Sequence, residues 1–404
     1  MNWHDVFATR MQHMKASEIR DLLKLLDQPE IISFAGGLPD PAFFPAVAFR
    51  NAMNDALDEQ QAGKALQYSV SEGYGPLRDW ICRQMNQLGV PAARENVLIT
   101  SGSQQALDYL GKVFLSPQDT ALVSWPTYLG ALGAFNAYEA RFARFQPGHN
   151  QSPAAYAKDA AEAGGRVKFA YVCPEFANPT GETLDRAARE EILDLSEALD
   201  FAVIEDNAYQ ALRYDGTPEP SILALETQRR GSLEACRTLY CGSFSKTLAP
   251  GLRVGWVCGA AEVIAQLVLI KQASDLHSPT LNQMAIHQVA EHVFEAHIPA
   301  LCDSYGNRRD TMLTALAVSM PDGVSWTRPE GGMFIWVTLP KELNATELLG
   351  TALKEHKVAF VPGQAFFADG TNPNTLRLSF SLARDAEIEK GIGRLGNAIR
   401  AALQ

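Results

Sequence analysis

The sequence contains few cysteines, and their arrangement excludes two kinds of site. The chain has neither a Cys-x-x-Cys pair nor a histidine pair at ligand spacing, and its six cysteines are scattered: Cys82, Cys173, Cys236, Cys241, Cys258 and Cys302. Zinc sites and disulfide frameworks need cysteines that are clustered or regularly spaced. We therefore expect no bound metal, and we expect a reducing, cytoplasmic compartment.

Positive charge and long apolar runs are also scarce. The chain has 35 Lys and Arg residues against 46 Asp and Glu residues, a net charge of -11, which argues against a nucleic-acid partner. The apolar stretch at residues 263–270 is much too short to cross a membrane. Residues 1–7 carry no basic region followed by an apolar core, so we expect no secretory signal and no membrane partner.

What the sequence does contain is enough apolar material for more than one core. At 404 residues, of which 47% are hydrophobic and 20% charged, two domains are expected. Apolar runs alternate with helical stretches between residues 46 and 270, which is typical of an α/β layered domain with a mostly parallel sheet. The expected strands lie at residues 97–100, 120–124, 167–172, 202–205, 238–241 and 254–258.

The pattern changes towards the C-terminus. After a helix-rich stretch at residues 280–318, strand-like runs at residues 325–328, 332–338, 358–362 and 375–380 predict a smaller α+β domain. We place a large domain at residues 46–290 and a small domain at residues 291–404. Residues 1–45 form an N-terminal arm that we expect to pack with the small domain or with a partner subunit. Within this arm, residues 16–27 have the pattern of a short amphipathic helix.

The most informative segment runs L-Y-C-G-S-F-S-K-T-L-A-P-G-L-R-V-G-W over residues 239–256. It places Lys246 in a small-residue turn after an apolar run, with Ser243 and Ser245 before it and Arg253 after it. A protonated amine is a poor nucleophile, so a catalytic lysine needs a lowered pKa or a carbonyl already bound to it. The serines and the arginine suit a bound phosphate. Aldehyde chemistry beside a phosphate points to pyridoxal 5'-phosphate, held on Lys246 as a Schiff base.

Other polar residues follow the ends of the predicted strands, where ligands collect in open α/β sheets. The N–H groups of Gly102, Ser103 and Gln104 would open a helix and face an anion. Tyr128, after the next strand, offers an aromatic ring on which a planar pyridine can stack. Asp206 ends a buried strand, where a carboxylate is costly unless a positive group meets it.

The spacing S-F-S-K-x-x-x-P-G-L-R-x-G-W resembles the lysine signature of the class I/II aminotransferases of pyridoxal-phosphate fold type I. The other motifs occur in the family's order, so the resemblance covers essentially the whole chain. It implies a large domain with a mixed, mostly parallel sheet and a smaller α+β domain.

The resemblance also implies roles for the motif residues. Asp206 would meet the pyridine nitrogen, Asn178 and Tyr209 would bond the 3'-oxygen of the cofactor, and Arg377 would bind the substrate α-carboxylate near Asn178. Lys246, Asp206 and Tyr209 are therefore the catalytic candidates. Tyr68 matches a tyrosine that reaches the phosphate of the neighbouring subunit, which implies a homodimer with shared active sites.

Two N-terminal segments, residues 16–20 and 32–40, are similar to the α-aminoadipate, kynurenine and multisubstrate branch of this family. In that branch, Arg20 would occupy the place of an arginine that meets the distal carboxylate of a dicarboxylate substrate. A solvent-facing helix arginine is the alternative. Gly37, together with Gly36, would let the backbone approach a bound substrate.

The implied reaction is ping-pong transamination through a lysine aldimine. The donor would be an aromatic, branched or α-aminoadipate-like amino acid, and 2-oxoglutarate is the expected acceptor. A β C–S lyase or an α-synthase of the same fold shares these cofactor residues and remains an alternative. A transcription regulator with an aminotransferase-like domain is disfavoured, because it needs a basic winged-helix domain and only about 35 residues precede Gly36.

Overall fold

The structure, a computed structural model, describes residues 2–12, 14 and 30–404. The predicted helix at residues 16–27 lies outside the described residues. The helices run over these ranges: α1 Ala46–Ala56, α2 Ala62–Leu66, α3 Gly75–Gln87, α4 Ser103–Phe114, α5 Leu129–Asn136, α6 Pro153–Glu162, α7 Arg186–Leu199, α8 Ile222–Arg230, α9 Ala261–Ser274, α10 Thr280–Ser319, α11 Ala345–Lys354 and α12 Asp385–Ala402.

The strands form one large sheet and two smaller ones. Their ranges are β1 Ile32–Ser33, β2 Val97–Thr100, β3 Thr120–Ser124, β4 Arg141–Phe145, β5 Val167–Val172, β6 Ala202–Asp206, β7 Thr238–Ser243, β8 Gly255–Cys258, β9 Ser325–Trp326, β10 Phe334–Thr338, β11 Val358–Ala359, β12 Val361–Pro362 and β13 Thr375–Ser379. A mixed, mostly parallel sheet together with a smaller antiparallel sheet is the architecture that the sequence predicts.

The large sheet has seven strands in the order β2-β8-β7-β6-β5-β3-β4. Only β8 runs against its neighbours, and the other pairs are parallel. The carboxyl ends of the remaining strands therefore share one edge, and β8 begins at that same edge. Gly255, the first residue of β8, pairs with Thr100 on one side and with Ser243 on the other.

The central strands of this sheet are buried on both faces. Every residue of β2 and β7 is buried, and the same holds for most of β5 and β6. Separate apolar clusters cover the two faces, one of them built around Leu107 and Phe135 and the other around Ile192 and Ile222. Such continuous apolar strands are expected where helices cover both sides of a parallel sheet.

The smaller sheets carry one candidate site residue. The four-stranded sheet has the order β12-β13-β10-β9, all antiparallel, and Arg377 on β13 pairs with Trp336 and with Val361. Strand β1 pairs in parallel with β11. Helix α10 contributes Val289 to an apolar cluster of the large sheet and Tyr305 to that of the small one. The predicted domain limit at residue 290 falls within this helix, and the division stays a prediction.

The described ranges contain neither a helix suited to spanning a membrane nor a cluster of side chains suited to a metal ion. Within residues 2–12, 14 and 30–404, no helix has the length and apolarity to cross a membrane. In the same part of the chain, no group of three or more His, Cys, Asp or Glu side chains is placed to hold a metal ion.

Candidate active site

The large sheet brings the ends of four strands together at one edge. Lys246 follows β7, Asp206 ends β6, Gly102 follows β2 and Arg253 precedes β8. Because these strands are adjacent in the sheet, residues far apart in the sequence meet in one place. This is the edge at which open α/β sheets bind ligands.

Lys246 has an ammonium group that is unusually easy to deprotonate. Its Nζ donates a hydrogen bond to the carbonyl oxygen of Gly37 at 2.9 Å and lies 5.8 Å from the centroid of the Tyr209 ring. Desolvation and the charges of Arg377 and Arg253 together lower the pKa of Lys246 to about 8, against the opposing effect of Asp206. An amine in this state reacts readily with a carbonyl group.

Asp206 is buried with one oxygen bonded and the other free. The Tyr171 hydroxyl donates to Oδ2 at 2.8 Å, whereas Oδ1 has no partner among the described residues. Burial raises the pKa of Asp206 to about 6, against the opposing effects of Tyr171 and Lys246. A buried carboxylate oxygen without a partner is costly. The arrangement suits a cationic N–H group, such as a protonated pyridine nitrogen, facing Oδ1.

The turn after β2 forms a cradle for an anion. Gly102, with φ +84, precedes Ser103, the first residue of α4. The first N–H groups of a helix have no intrahelical acceptor, so those of α4 are free to bind an anion. A Cβ atom on Gly102 would overlap the Arg253 guanidinium. Arg253 Nη1 also donates to Ser245 Oγ at 3.5 Å, and the Ser245 N–H donates to Ser243 Oγ at 3.0 Å. A helix N-terminus, an arginine and two hydroxyl groups together suit a phosphate.

Gln104 and Tyr128 border this cradle. Gln104 Nε2 donates to the carbonyl oxygen of Gly130 at 2.7 Å. A Cβ atom on Gly130 would lie 2.5 Å from the Tyr128 ring, so glycine is needed for this close approach. Burial raises the pKa of Tyr128, and Asp206 raises it further while Arg377 and Arg253 lower it. Tyr128 therefore lies among the same charged groups that surround Lys246.

Arg377 is a buried cation that lacks a carboxylate partner. The residue is 2% exposed, and Nη1 donates to Asn178 Oδ1 at 2.7 Å while Nη2 donates to the carbonyl oxygen of Ala35 at 2.8 Å. Its guanidinium carbon lies 4.2 Å from the centroid of the Phe334 ring and 5.1 Å from that of Phe366. No Asp or Glu of the described ranges pairs with it, and its Nε has no acceptor there.

Burial also lowers the pKa of Arg377 to about 10. A desolvated guanidinium is stabilised most by a carboxylate that it can bind through two parallel hydrogen bonds. The free Nε and the absence of an acidic neighbour in the described part of the chain therefore suit an incoming carboxylate.

Asn178 links Arg377 to Tyr209. Its Nδ2 donates to the Tyr209 hydroxyl oxygen at 3.4 Å while its Oδ1 accepts from Arg377. Burial raises the pKa of Tyr209 well above its ordinary value, so the hydroxyl stays protonated. Both side chains are 6% exposed. Their hydroxyl and amide groups can donate to an oxyanion between them.

The backbone around Gly37 covers Lys246. A Cβ atom on Gly37 would lie 2.8 Å from the Phe334 ring, which requires glycine at this position. Arg308 holds the end of this segment through a 2.6 Å ion pair with Asp40. The segment therefore has a fixed path from the small sheet to the lysine.

Tyr68 stands at the surface of its own chain. Tyr68 is 79% exposed, and its ring contacts that of His277 edge-on with the centroids 6.1 Å apart. Arg20 lies outside the described residues.

Sequence reasoning missed Tyr171 and the aromatic pair around Arg377. Tyr171 lies in β5, where it pairs in register with Ile204, two residues before Asp206 on the neighbouring strand. A tyrosine inside an otherwise apolar strand is a weak signal, because only the register shows which group its hydroxyl meets. Phe334 and Phe366 are ordinary core residues in the sequence, and only the fold places them on Arg377.

The groups of this cluster fit those of pyridoxal 5'-phosphate. Asp206 offers a free oxygen for the pyridine nitrogen, and Lys246 offers an amine of lowered pKa for the aldehyde. The space beside Gly102 and Arg253 suits the phosphate. Each functional group of the cofactor therefore has a matching group in the structure.

Comparison with known proteins gives the same result. The family model for aminotransferase class I and II matches residues 34–395. The aromatic-amino-acid aminotransferase 1 of Thermococcus litoralis is 40% identical over 406 residues, covering 99% of this chain and 95% of that protein. Among solved structures, a kynurenine aminotransferase of Pyrococcus horikoshii in complex with PMP matches with a TM-score of 0.91 and 40% identity, covering 100% of this chain and 99% of that one.

A second solved structure carries a cofactor adduct. It is the α-aminoadipate aminotransferase of Thermus thermophilus complexed with N-(5'-phosphopyridoxyl)-L-leucine. It matches with a TM-score of 0.88 and 39% identity, covering 100% of this chain and 99% of that one.

Proposed function

The chain belongs to the class I and II aminotransferase family, and from this we propose that it uses an aromatic, branched or α-aminoadipate-like amino acid as donor and 2-oxoglutarate as acceptor. That it is a pyridoxal-phosphate-dependent aminotransferase follows from the family and its relatives. The observation that carries an amino-acid and oxo-acid substrate is the buried Arg377 guanidinium, which has no carboxylate partner in the described ranges.

When bound, pyridoxal phosphate supplies an aldehyde carbon and a ring that accepts the electron pair released when the substrate Cα–H bond breaks. Lys246 would hold the cofactor through Nζ in the resting enzyme. Once the substrate amine has displaced it, the same nitrogen would take the Cα proton. A pKa of about 8 keeps about a tenth of the free amine neutral at pH 7.

Asp206 would keep the pyridine nitrogen protonated. Its Oδ1 is free to accept that N–H, while Tyr171 fixes the other oxygen. A cationic N–H would also offset the desolvation that raises the pKa of this carboxyl group. Asn178 and Tyr209 would donate hydrogen bonds to the 3'-oxygen of the cofactor.

The phosphate would lie at the start of α4. We assign it to the backbone of Gly102, Ser103 and Gln104 and to the side chains of Ser243, Ser245 and Arg253. Tyr128 would stack on the pyridine ring. The positive helix end and the Arg253 guanidinium together would balance the charge of the phosphate.

Arg377 would bind the α-carboxylate of the substrate. A bidentate carboxylate would satisfy Nε, the group that has no acceptor among the described residues. Asn178 already bonds Nη1 and lies where it can contact the same carboxylate. Gly37, whose carbonyl oxygen accepts from Lys246, would line the substrate side of the site.

The donor classes are supported by the relatives. Proteins similar to this chain over nearly its whole length are named for aromatic amino acids, 2-aminoadipate and kynurenine. We also propose that Arg20 meets the distal carboxylate of a dicarboxylate substrate. The six free cysteines support our proposal of a cytoplasmic location.

We further propose that the enzyme is a homodimer with shared active sites. Tyr68 lies away from the Lys246 cluster of its own chain and is exposed, so it is available to a second copy. It would reach the cofactor phosphate of the partner subunit.

A panel of amino donors with 2-oxoglutarate as acceptor tests the substrate proposal. We expect glutamate to form with aromatic, branched and α-aminoadipate donors, at a rate that depends on both substrates in the parallel-line pattern of ping-pong kinetics. Pyruvate and ammonia released from an S-substituted cysteine without any oxo acid would instead support the lyase alternative.

The variant Arg20→Ala should raise the KM for α-aminoadipate and glutamate far more than the KM for leucine. The distal carboxylate would lose its partner, whereas an apolar side chain never used one. Equal losses for both substrate classes would remove Arg20 from the specificity account.

A further inference from the structure

Lys271 is a fully buried lysine that the proposed chemistry does not use. It lies in the last turn of α9 and is 0% exposed. Its Nζ donates to Gln105 Oε1 at 2.9 Å, to Asp275 Oδ1 at 2.9 Å and to Ser278 Oγ at 3.0 Å. All the hydrogen-bonding capacity of the ammonium group is thereby used within the protein.

The partners of Lys271 connect it to the turn after β2. The Gln105 Oε1 atom that accepts from Lys271 also accepts from the Ser101 N–H at 2.8 Å. Ser101 Oγ donates to Asp275 Oδ2 at 3.2 Å and lies 3.0 Å from Ser278 Oγ. Gln105 Nε2 donates to Asp275 Oδ2 at 2.7 Å. These hydrogen bonds connect five residues, Ser101, Gln105, Lys271, Asp275 and Ser278, which we call the Lys271 network.

The network ties together parts of the chain that are distant in sequence. Ser101 follows β2, Gln105 lies in the first turn of α4, and Asp275 and Ser278 lie between α9 and α10. Lys271 contacts Gln105, Asp275 and Ser278 at once. Gly102, Ser103 and Gln104 lie between Ser101 and Gln105, so fixing Ser101 and Gln105 fixes the backbone between them.

Burial destabilises the charged form of Lys271, and its partners only partly offset this effect. Desolvation lowers the pKa of Lys271, and its ion pair with Asp275 opposes that effect. A buried ion pair is weak evidence for stability, because desolvation can exceed the attraction between the charges. Its position beneath the phosphate cradle gives a more specific reason for its presence.

We propose that Lys271, acting through Gln105 and Asp275, is a positioning residue for the cofactor phosphate, because it sets the orientation of the N–H groups of Gly102, Ser103 and Gln104. The proposal rests on the assignment of the phosphate to this turn. Lys271 touches neither the cofactor nor the substrate in this account. Its effect is confined to the phosphate end of the site and does not extend to Lys246.

Binding of two aldehydes to the apoenzyme separates this role from a general contribution to folding. Pyridoxal phosphate uses both the phosphate cradle and Lys246, whereas pyridoxal has the same aldehyde and ring without the phosphate. In Lys271→Met, which keeps the volume and removes the ammonium group, pyridoxal phosphate should bind about tenfold more weakly. The dissociation constant of pyridoxal should stay within about twofold of the wild-type value.

A purely structural role predicts a different result. If Lys271→Met weakens both aldehydes by the same factor, or changes neither, the positioning role is wrong. If wild-type apoenzyme binds pyridoxal phosphate no more tightly than pyridoxal, the phosphate assignment itself fails and the positioning role fails with it. That outcome appears in the wild-type protein, so it is distinguishable from the first two.

Two further variants keep the test decisive. Gln105→Met removes the oxygen shared by Lys271 and Ser101 but leaves the Lys271–Asp275 pair, and it should show the same selective loss if Lys271→Met does not fold. Glu226→Gln is the matched control. Glu226 is also buried and accepts from the N–H groups of Arg237 and Thr238, at the start of β7 and thus at the opposite edge of the sheet. It should lower thermal stability without changing the ratio of the two dissociation constants.

Discussion

Burial and neighbouring charges shift the pKa values of single residues in this site. Burial and two nearby arginines lower the pKa of Lys246, whereas burial raises that of Asp206. The two groups lie close enough for each to affect the other. The lysine releases its proton easily, and the carboxyl group beside it has an oxygen free for a cationic partner. Together they suit a cofactor that has an aldehyde and a basic ring nitrogen.

Asp206 should make the stability of the apoenzyme depend on pH. The folded protein binds its proton with a pKa of about 6, against an ordinary value of 3.8. The folded state therefore holds this proton more tightly than the unfolded chain, and the stability it contributes is lost as pH rises through 6. In Asp206→Asn the loss is absent, so the variant should be more stable than wild type at pH 8 by about 2–3 kcal/mol.

Urea unfolding of both apoproteins at pH 4 and at pH 8 measures this effect. At pH 4 the carboxyl group of folded Asp206 is protonated and resembles the amide, so the difference between the proteins should nearly vanish. A difference of the same size at both pH values would show that Asp206 is not the group responsible. The holoenzyme of the variant should also lose most of its turnover, because an amide cannot keep the ring nitrogen protonated.

The secondary structure elements explain how much of the site the sequence predicts. The buried strands β2, β3 and β5 begin and end where their apolar runs predict. Strand β4 was missed, because it is an edge strand that pairs only with β3 and exposes Arg141 and Arg144. Its sequence therefore lacks the continuous apolar run of a central strand.

Sequence motifs predict the site residues that follow the strands, but they do not predict the residues that contact them in space. Asp206 and Lys246 stand in recognisable segments. Tyr171 meets Asp206 from 35 residues away, and Lys271 meets Gln105 from 166 residues away. Such contacts depend on strand order and register, which a local pattern does not contain.

At the first turn of α4, Gly102→Ala should weaken cofactor binding. Gly102 has φ +84, and an added Cβ would overlap the Arg253 guanidinium, so both the turn and the arginine must move. We expect the dissociation constant of pyridoxal phosphate to rise at least about tenfold, measured by fluorescence titration of the apoenzyme.

Gly133→Ala is the control for that substitution. Gly133 lies in α5, where an added Cβ would meet nothing within 4 Å. This variant should bind the cofactor as wild type does and gain about 0.5–1 kcal/mol of stability, because alanine favours a helix. Unchanged affinity in Gly102→Ala would place the phosphate elsewhere.

In the proposed dimer, each active site receives Tyr68 from the partner subunit. If Tyr68 serves the partner subunit, two inactive variants should restore each other. Lys246→Ala retains Tyr68, and Tyr68→Ala retains Lys246, so a hybrid dimer has one intact site. After equal mixing and subunit exchange, about a quarter of the wild-type sites should return, because half of the dimers are hybrids.

Activity at limiting pyridoxal phosphate is the measurement for this mixture. If Tyr68 instead acted within its own chain, no combination would contain an intact site. Activity that stays at the level of the separate variants would therefore contradict shared active sites. Activity of the Lys246→Ala protein alone would contradict the lysine assignment as well.

The most direct test of the central claim is chemical trapping of the resting enzyme. Borohydride reduction of the holoenzyme makes the bond between lysine and cofactor permanent, and peptide mass spectrometry then locates the modified residue. We expect one pyridoxyl group per chain, on Lys246, and no modification of that site when an amino donor has first been added without an acceptor. Modification of Lys271 or of any other lysine in place of Lys246 would contradict the account.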